Sequence, residues 1–166
     1  MISRGAALGL YAGPLRACVV ALKYHGRHRT ADRLAVRLFE TARCLWVLEG
    51  ADVVHGVPLH ADRVAERGFN QAGLLAEGIS RLSGTAVCTS LVRVRNTPSQ
   101  TNFSARQRRR NVADAFSVGD RRPIMNSVVV LVDDVTTTGA TLRECAQTLL
   151  RAGAREVRAI TVARAE

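Results

Sequence analysis

Hydrophobic and polar positions along the chain fall into blocks that predict strands and helices in turn. The clearest strand covers residues 126–132, where five consecutive branched aliphatic residues end at two aspartates. A turn of small residues follows, then helical spacing over residues 141–152, which Gly153 ends, and a last strand over residues 157–162. Strand, turn, helix and strand at this spacing predict a β-α-β unit with a right-handed crossover.

Weaker patterns continue the alternation through the first two thirds of the chain. The predicted elements there are a short strand over residues 7–11, a helix over 14–24, a basic turn over 25–30, a helix over 31–48, a strand over 52–57, a loop to residue 69, a helix over 70–82 and a strand over 91–95. Leu34, Leu38, Ala42 and Leu45 form the apolar stripe of the second helix. The polar residues after 95 predict a long basic loop over about 96–111.

Length and composition narrow this pattern to one α/β domain. The chain has 166 residues, of which 47% are hydrophobic and only 4% aromatic, so valine, leucine and alanine must fill the interior. Continuous aliphatic strands are typical of a parallel sheet that is buried on both faces. We therefore predict a single domain over residues 1–166, with a Rossmann-like, mainly parallel sheet flanked by helices.

Charge and cysteine usage limit the kinds of partner and compartment. A formal charge of +10 favours polyanions such as nucleic acid or phosphate-rich small molecules, although an arginine-rich solvated surface explains it equally well. Cys18, Cys44, Cys88 and Cys145 form no C-x-x-C pair, so neither a zinc ribbon nor a redox motif is predicted. We expect reduced thiols, a cytoplasmic location and no membrane span, because no apolar stretch approaches the necessary length.

The strongest chemical signal is the turn after the aliphatic strand. The strand brings Asp133 and Asp134 to its carboxyl end, where open α/β sheets bind ligands. Unpaired N–H groups at the start of the next helix form a site for a phosphate dianion, and the carboxylates can accept hydrogen bonds from a sugar diol beside it. The glycine of this turn permits close backbone approach. The predicted phosphate loop comprises Thr136, Thr137, Thr138, Gly139, Ala140 and Thr141.

This turn also carries a resemblance to a known family. Residues 129–141 resemble the thirteen-residue signature of the type I phosphoribosyltransferases, which implies their fold. An apolar strand that ends in two acids also suits a Walker B element, but the chain has no G-x-x-x-x-G-K-[ST] sequence. The other alternative is a capped turn without function. It is disfavoured because two adjacent acids at a strand end without a partner would cost folding free energy.

Further segments resemble one branch of that superfamily, the ComF family of phosphoribosyltransferase-like proteins. The matching segments are residues 22–27, 57–59 with 67–71, and 97–100 with 108–111 and 115–116. Many members begin with a cysteine-rich zinc ribbon, which this chain lacks, so we expect no zinc.

The resemblance implies that a second loop, after the strand over residues 52–57, holds pyrophosphate. Gly68 suggests a backbone that must approach something closely. This favours a binding role for the adjacent Arg67 over that of an ordinary surface arginine. The basic loop can be interpreted as a cover over the substrate or as a solvated helix. The candidate pyrophosphate residues are Leu59, His60, Arg67, Lys23 and Arg108. For Lys23, the alternative is an ordinary lysine whose side chain extends to the surface.

The implied reaction is transfer of the phosphoribosyl group of phosphoribosyl pyrophosphate to a nitrogenous acceptor, with release of pyrophosphate. Mg²⁺ is expected on the ligand's own oxygens, with Asp133 and Asp134 as the protein groups able to assist. The sequence identifies no acceptor base. The alternatives are a sensor that binds the ligand without turnover and an accessory protein of DNA uptake that contacts nucleic acid or competence machinery through its basic surface. A homodimer is also compatible with the sequence.

Overall fold

A mainly parallel five-stranded sheet forms the centre of the fold. The computed structural model describes residues 1–24, 28–96 and 112–165, without the side chains of Tyr24, His28 and Ala42. The strands, in chain order, are β1 Ile2–Leu10, β2 Val53–Gly56, β3 Ala86–Val87, β4 Leu91–Arg93, β5 Phe116–Val118, β6 Val128–Thr136 and β7 Glu156–Arg164. The main sheet has the order β1-β7-β6-β2-β3 with parallel pairs throughout, and β4 and β5 form a separate antiparallel pair. The predicted α/β class is therefore confirmed.

Helices cover both faces of this sheet. They are α1 Gly13–Tyr24, α2 His28–Phe39, α3 Ala42–Leu48, α4 Ala61–Arg67, α5 Gln71–Ser83 and α6 Ala140–Arg151. Successive residues of a strand face opposite sides, so β6 contributes to two cores. Val130 and Val132 pack with α1, α2, α3 and α5, whereas Val129 and Leu131 pack with α6. Within the described part of the chain, no helix is long and apolar enough to cross a membrane.

Several predicted boundaries are wrong for identifiable reasons. The helix predicted over residues 31–48 is two helices, because Thr41 adopts an extended conformation between them. Leu45 consequently leaves the buried stripe and is 44% exposed. The strand predicted to end at residue 132 continues through both aspartates to Thr136, since its backbone pairs with β7 as far as Arg164.

Other differences concern short or exposed elements. The loop predicted up to residue 69 contains α4, a helix with no buried residue and therefore no apolar period to detect. β3 and β5 have two and three residues, which is too short for a recognisable alternation. β1 starts at Ile2 rather than residue 7, β4 ends at Arg93, and α2 already begins at His28.

Close contact between a strand and a helix occurs at Gly56, the last residue of β2. A Cβ atom there would lie 2.6 Å from the backbone of Ala72 and Gly73 in the first turn of α5. The side-chain amide of Asn70, which caps this helix, donates to the carbonyl of Val57 at 3.1 Å. The start of α5 is thus held directly against the carboxyl end of β2.

A buried histidine joins β2 to the small antiparallel sheet. His55 is only 3% exposed, its Nδ1 lies 2.7 Å from the carbonyl oxygen of Gly56, and its Nε2 accepts the N–H of Leu91 at 2.9 Å. The carbonyl can only accept, so Nδ1 carries the proton and the imidazole is neutral. Burial lowers the pKa of His55, and the hydrogen bond to Gly56 opposes this only in part.

Acidification is therefore expected to destabilise the protein through His55. Its pKa is lower in the folded than in the unfolded chain, where it is about 6.5. Its contribution to stability is thus present above pH ~6.5 and is lost as the pH falls towards the folded-state value. The difference in melting temperature between His55→Gln and the wild type, measured at pH 5 and pH 7.5, should be larger at pH 7.5. An equal difference at both pH values would contradict this role.

Candidate functional site

Two connections meet at the carboxyl edge of the main sheet. β2 and β6 are parallel neighbours, with Gly56 opposite Val132, so the residues after both strands emerge side by side. Residues 57–60 connect β2 to α4, and residues 137–139 connect β6 to α6. The two segments that were predicted to hold pyrophosphate and phosphate therefore lie at the same edge, which is where ligands of parallel sheets bind.

The turn between β6 and α6 has the features of an anion site. Gly139 adopts a left-handed conformation, with φ of 70°, and stands at the N-cap position without a side-chain cap. The N–H groups of the first helical turn therefore point out of the helix. The hydroxyl Oγ1 of Thr138 is buried and has no hydrogen-bond partner among the described residues. A buried hydroxyl without a partner among the described residues, beside the N–H groups of a helix start, matches the needs of a tetrahedral oxyanion.

The two aspartates face opposite sides of the sheet. Asp134 is 4% exposed and lies on the side of α1 and α5. Its Oδ2 is 3.1 Å from Nζ of Lys23 and accepts from Nε2 of Gln71 at 3.1 Å, while its Oδ1 accepts the N–H of Val135. Asp133 lies towards α6, where Oδ1 accepts the N–H of Asp134 at 2.8 Å. The negative charge of Asp134 is thus neutralised by a cation, whereas the surroundings of Asp133 compensate its charge less well.

A chain of polar contacts extends from Asp134 towards the second loop. Arg67, at the end of α4, donates from Nη1 to Oε1 of Gln71 at 2.6 Å, and Gln71 in turn donates to Asp134. Lys23 approaches the same carboxylate from the last turn of α1. Lys23 thus contacts Asp134 directly and Arg67 is linked to it through Gln71, although the two cations are 44 residues apart in sequence.

The remaining predicted residues have more varied positions. His60 is the N-cap of α4, where its Nδ1 accepts the N–H of Asp62 at 3.3 Å, and Leu59 precedes it in the half-buried connection. Gly68 has a structural reason of its own: its φ is 83° and it ends α4, and no atom of the described residues lies within 4 Å of an added Cβ. The binding role inferred for Arg67 from this glycine stays a prediction. Arg108 and most of the basic loop predicted over 96–111 lie outside the described residues.

Sequence reasoning missed three polar residues near the turn. Gln71 bridges Arg67 and Asp134, and Arg143 in the first turn of α6 donates to the carbonyl of Thr138. Arg93 of β4 packs over the Phe116 ring at 5.6 Å, and its charge acts to lower the pKa of Asp133. Arg143 could have been found from the sequence, because it follows Gly139 by four residues and so lies one helical turn after it. Gln71 and Arg93 depend on contacts between distant segments and gave no such signal.

Burial of Asp133 makes its ionisation unfavourable. Removal from water, followed by the neighbouring charge of Asp134, raises the pKa of Asp133 to about 8. The hydrogen bond from the N–H of Asp134 and the positive charges of Lys23 and Arg93 offset this only in part. A carboxyl with these properties is typical of functional sites, because such sites place charges where a ligand needs them rather than where the fold does.

Asp133→Asn is therefore expected to stabilise the ligand-free protein at alkaline pH. A pKa raised above the unfolded value of about 3.9 means that the group's contribution to stability is lost as the pH rises through about 8. The melting temperature of the variant should exceed that of the wild type by a few degrees at pH 8.5, since ~1 kcal/mol corresponds to ~2–4 °C in domains of this size. The gain should shrink at pH 5; a constant difference would contradict the assignment.

The donor set at this edge also bears on metal binding. Among residues 1–24, 28–96 and 112–165, no group of three or more His, Cys, Asp or Glu side chains is placed to hold a metal ion. Asp133 and Asp134 are the oxygen donors beside the turn, and Asp134 already has Lys23 as its counter-ion. This set fits Mg²⁺ that is bound mainly by a ligand's own oxygens, with at most a few protein contacts. The four cysteines are free thiols.

Comparison with known families and proteins agrees with this geometry. Residues 64–166 match the phosphoribosyl transferase domain family. The chain is 40% identical over 151 residues to the DNA utilization protein YhgH of Salmonella typhimurium, covering 89% of this chain and 66% of that protein. It is 34% identical over 163 residues to competence protein F of Haemophilus influenzae, covering 95% and 71% of the two chains. The chain thus spans about two thirds of the length of these relatives.

A solved structure with the same fold is known. The glutamine phosphoribosylpyrophosphate amidotransferase of B. subtilis superposes with a TM-score of 0.58 at 23% identity, over 86% of this chain and 30% of that one. At this level of identity the similarity establishes the fold of the domain. The type I fold expected from the turn is confirmed.

Proposed function

Because the chain belongs to the ComF family of phosphoribosyltransferase-like proteins, we propose that it binds phosphoribosyl pyrophosphate at the carboxyl edge of β2 and β6. The observation that carries this proposal is the turn over residues 137–139, where the buried hydroxyl of Thr138 and the N–H groups at the start of α6 face the position of a phosphate. Asp133 and Asp134 come directly before Val135 in the same strand, and we assign them to the hydroxyls of the ribose that such a phosphate carries.

The pyrophosphate end of the ligand would lie over the connection between β2 and α4. The backbone of Leu59 and His60 would provide donors there, and Arg67 and Lys23 would contribute positive charge from their positions near Asp134. Arg108 is proposed to join them on the strength of its motif. Mg²⁺ carried by the ligand would neutralise part of the pyrophosphate charge.

We further propose that the protein transfers the phosphoribosyl group to a nitrogenous acceptor. The bond from the anomeric carbon to pyrophosphate breaks as the bond to nitrogen forms, and the acceptor loses a proton. Positive charge develops on the sugar ring in the transition state, so carboxylates beside the ribose stabilise it more than the ground state. The residues supply position and electrostatics, and no side chain in the turn is needed as an acid or base.

The test separates binding from turnover. Thermal shift with phosphoribosyl pyrophosphate and Mg²⁺ at millimolar concentration should raise the melting temperature, because a ligand that binds only the folded state stabilises it. Release of labelled pyrophosphate is then measured with a panel of purine, pyrimidine and pyridine bases. Release that depends on one base supports the transferase, and binding without release assigns the chain as a sensor. Absence of any thermal shift contradicts both.

A second candidate function rests on the exposed face of α2. Arg29, Arg33 and Arg37 recur at intervals of four residues and are all exposed, so they lie in one row about 6 Å apart along the helix. Relatives are named for DNA utilization and competence. We propose contact with nucleic-acid phosphates through this row, inside the cytoplasm. Affinity for single-stranded DNA should fall steeply between 50 and 200 mM salt and should drop when Arg29 and Arg33 are replaced by glutamine.

A further inference from the structure

The buried stripe of α5 begins with a polar side chain. Gln71, Leu75 and Ile79 recur at intervals of four residues and therefore share one face of the helix. The two aliphatic residues are fully buried, and Gln71 is only 5% exposed. An apolar residue at the first position would fill the same space without the cost of removing an amide from water. The glutamine therefore needs a reason other than the packing of α5, and its hydrogen bonds indicate one.

The two ends of this amide have partners of opposite charge. Oε1 accepts from Nη1 of Arg67 at 2.6 Å, and Nε2 donates to Oδ2 of Asp134 at 3.1 Å. A guanidinium can only donate, and a carboxylate that is paired with Lys23 can only accept. The amide is therefore fixed in one orientation, with its oxygen towards the cation and its nitrogen towards the acid. Hydrogen bonds joined in this way polarise one another, so a change at either end affects the other.

The backbone that carries Gln71 is held against the carboxyl end of β2. α5 starts at this residue, and Asn70 before it caps the helix and donates to the carbonyl of Val57. Arg67 belongs to the preceding helix, α4, which Gly68 ends in a left-handed conformation. The chain turns between the two helices and brings the arginine back onto the amide. Gln71 is thus the fixed member of the pair, and Arg67 is placed by its contact with it.

The contacts of Asp134 show which of its oxygens a ligand would use. A carboxylate has about four acceptor positions, two on each oxygen. Lys23 and Gln71 both approach Oδ2 at 3.1 Å, whereas the N–H of Val135 approaches Oδ1. Two donors fill Oδ2, so a ribose hydroxyl would have to use Oδ1. Gln71 and Lys23 together therefore determine how this acid is presented to a sugar.

We propose that Gln71 is a positioning residue that couples the two ends of the ligand site. It holds the guanidinium of Arg67 for the pyrophosphate and the carboxylate of Asp134 for the ribose, so that each depends on the other for its effect on the ligand. This role rests on the proposed function, because both partners of Gln71 are assigned to the same ligand. It differs from a structural role, in which the amide would only satisfy its own hydrogen bonds.

The probe is phosphoribosyl pyrophosphate with Mg²⁺, titrated calorimetrically into eight forms of the full chain. Arg67→Gln and Asp134→Asn are made singly and together, each with Gln71 and with Gln71→Met, which keeps the length of the side chain without its hydrogen bonds. With Gln71, the loss of affinity in the double variant should be at least about threefold smaller than the product of the single losses, because either substitution breaks the same chain of contacts. In the Gln71→Met background the losses should multiply to within about twofold.

A glutamine with only a structural role gives a different result. Gln71→Met would still lower the melting temperature, but the losses of affinity would multiply in both backgrounds, which overturns the proposal. Gln147→Met is the matched control, since it makes the same substitution at an exposed position on α6 and should bind the ligand as the wild type does.

The same eight forms separate this role from the proposed function. If the wild type binds no phosphoribosyl pyrophosphate, the proposed function fails, and the melting temperatures decide about Gln71. Changes for Arg67→Gln and Asp134→Asn that add only in the Gln71→Met background support the coupling. Changes that add in both backgrounds overturn it.

A second measurement uses the wild type alone and does not depend on the folding of any variant. In a ¹⁵N-labelled sample, inorganic pyrophosphate with Mg²⁺ should shift the side-chain amide resonance of Gln71, because Arg67 bonds both to this amide and to the anion. Ribose 5-phosphate should shift the same resonance through Asp134, whereas the exposed amide of Gln147 should stay unchanged with either compound. Calorimetric binding of both compounds without a shift at Gln71 overturns the proposal.

Discussion

Asparagine at both Asp133 and Asp134 is expected to lower the affinity for phosphoribosyl pyrophosphate by at least about a hundredfold while the chain stays folded. Above pH 8, where Asp133 is ionised as well as Asp134, the two substitutions together would remove two charge-assisted hydrogen bonds to ribose hydroxyls. Each is worth ~1.5–3 kcal/mol, and ~2.8 kcal/mol already corresponds to a hundredfold. Calorimetric titration with Mg²⁺ present measures the change, and circular dichroism checks the fold. Unchanged affinity in a folded variant would falsify the ribose assignment.

Asp120→Asn is the matched control for this experiment. It removes the same charge from an exposed position, in a pair with Arg122 on the connection that precedes β6. Its affinity should equal that of the wild type. The single variants at the site should differ in stability: Asp134→Asn removes the counter-ion of Lys23 and destabilises, whereas Asp133→Asn relieves an unfavourable charge. Loss of binding together with opposite stability changes would show that the ligand, rather than the fold, requires both acids.

Gly56→Ala is expected to have the largest effect on stability, a loss of about 2–3 kcal/mol. The added Cβ would lie 2.6 Å from the backbone of Ala72 and Gly73, so the strand or the helix must move, and overpacking of this kind costs ~1–3 kcal/mol. The melting temperature should fall by ~4–12 °C. Displacement of the start of α5 should also separate Gln71 from Asp134 and weaken ligand binding.

Gly5→Ala provides the comparison for that variant. It is also a glycine in a strand of the main sheet, but the nearest atom to its Cβ position is 3.9 Å away, which is ordinary contact. Restriction of the unfolded chain should make this substitution neutral or stabilising by a few tenths of a kcal/mol. If both variants unfold at the same temperature, the close approach at Gly56 has no energetic importance.

The chain's own pattern predicted the part of the fold that holds the turn. Five aliphatic residues in a row, a glycine after the threonines and a second apolar run are local signals, and β6, α6 and β7 follow from them. The same signals placed the acids at the carboxyl edge. They could not show that the acids face opposite sides, because the strand was expected to end before Asp133 and in fact continues past it.

Contacts between distant segments account for what could not be predicted. Gln71 and Asp134 are 63 residues apart, and an amide near a helix start gives no sign of a buried partner. α4 has no buried residue, so it lacks the apolar period by which helices are detected. Gly68 shows a different ambiguity: a glycine can serve a close approach or a helix end, and only the backbone angle distinguishes them.

The ion pair between Lys23 and Asp134 defines how much of the chain forms one inseparable unit. The family match begins at residue 64, yet α1 supplies the counter-ion of an acid near the turn, and β1 completes the sheet. A fragment that starts at residue 64 would carry the whole signature but would lack Lys23, the ion-pair partner of Asp134. Exchange of segments between relatives should therefore preserve function only when the junction lies before β1. A later junction would take β1 from the other protein, and a junction after α1 would also take the counter-ion of Asp134 from it.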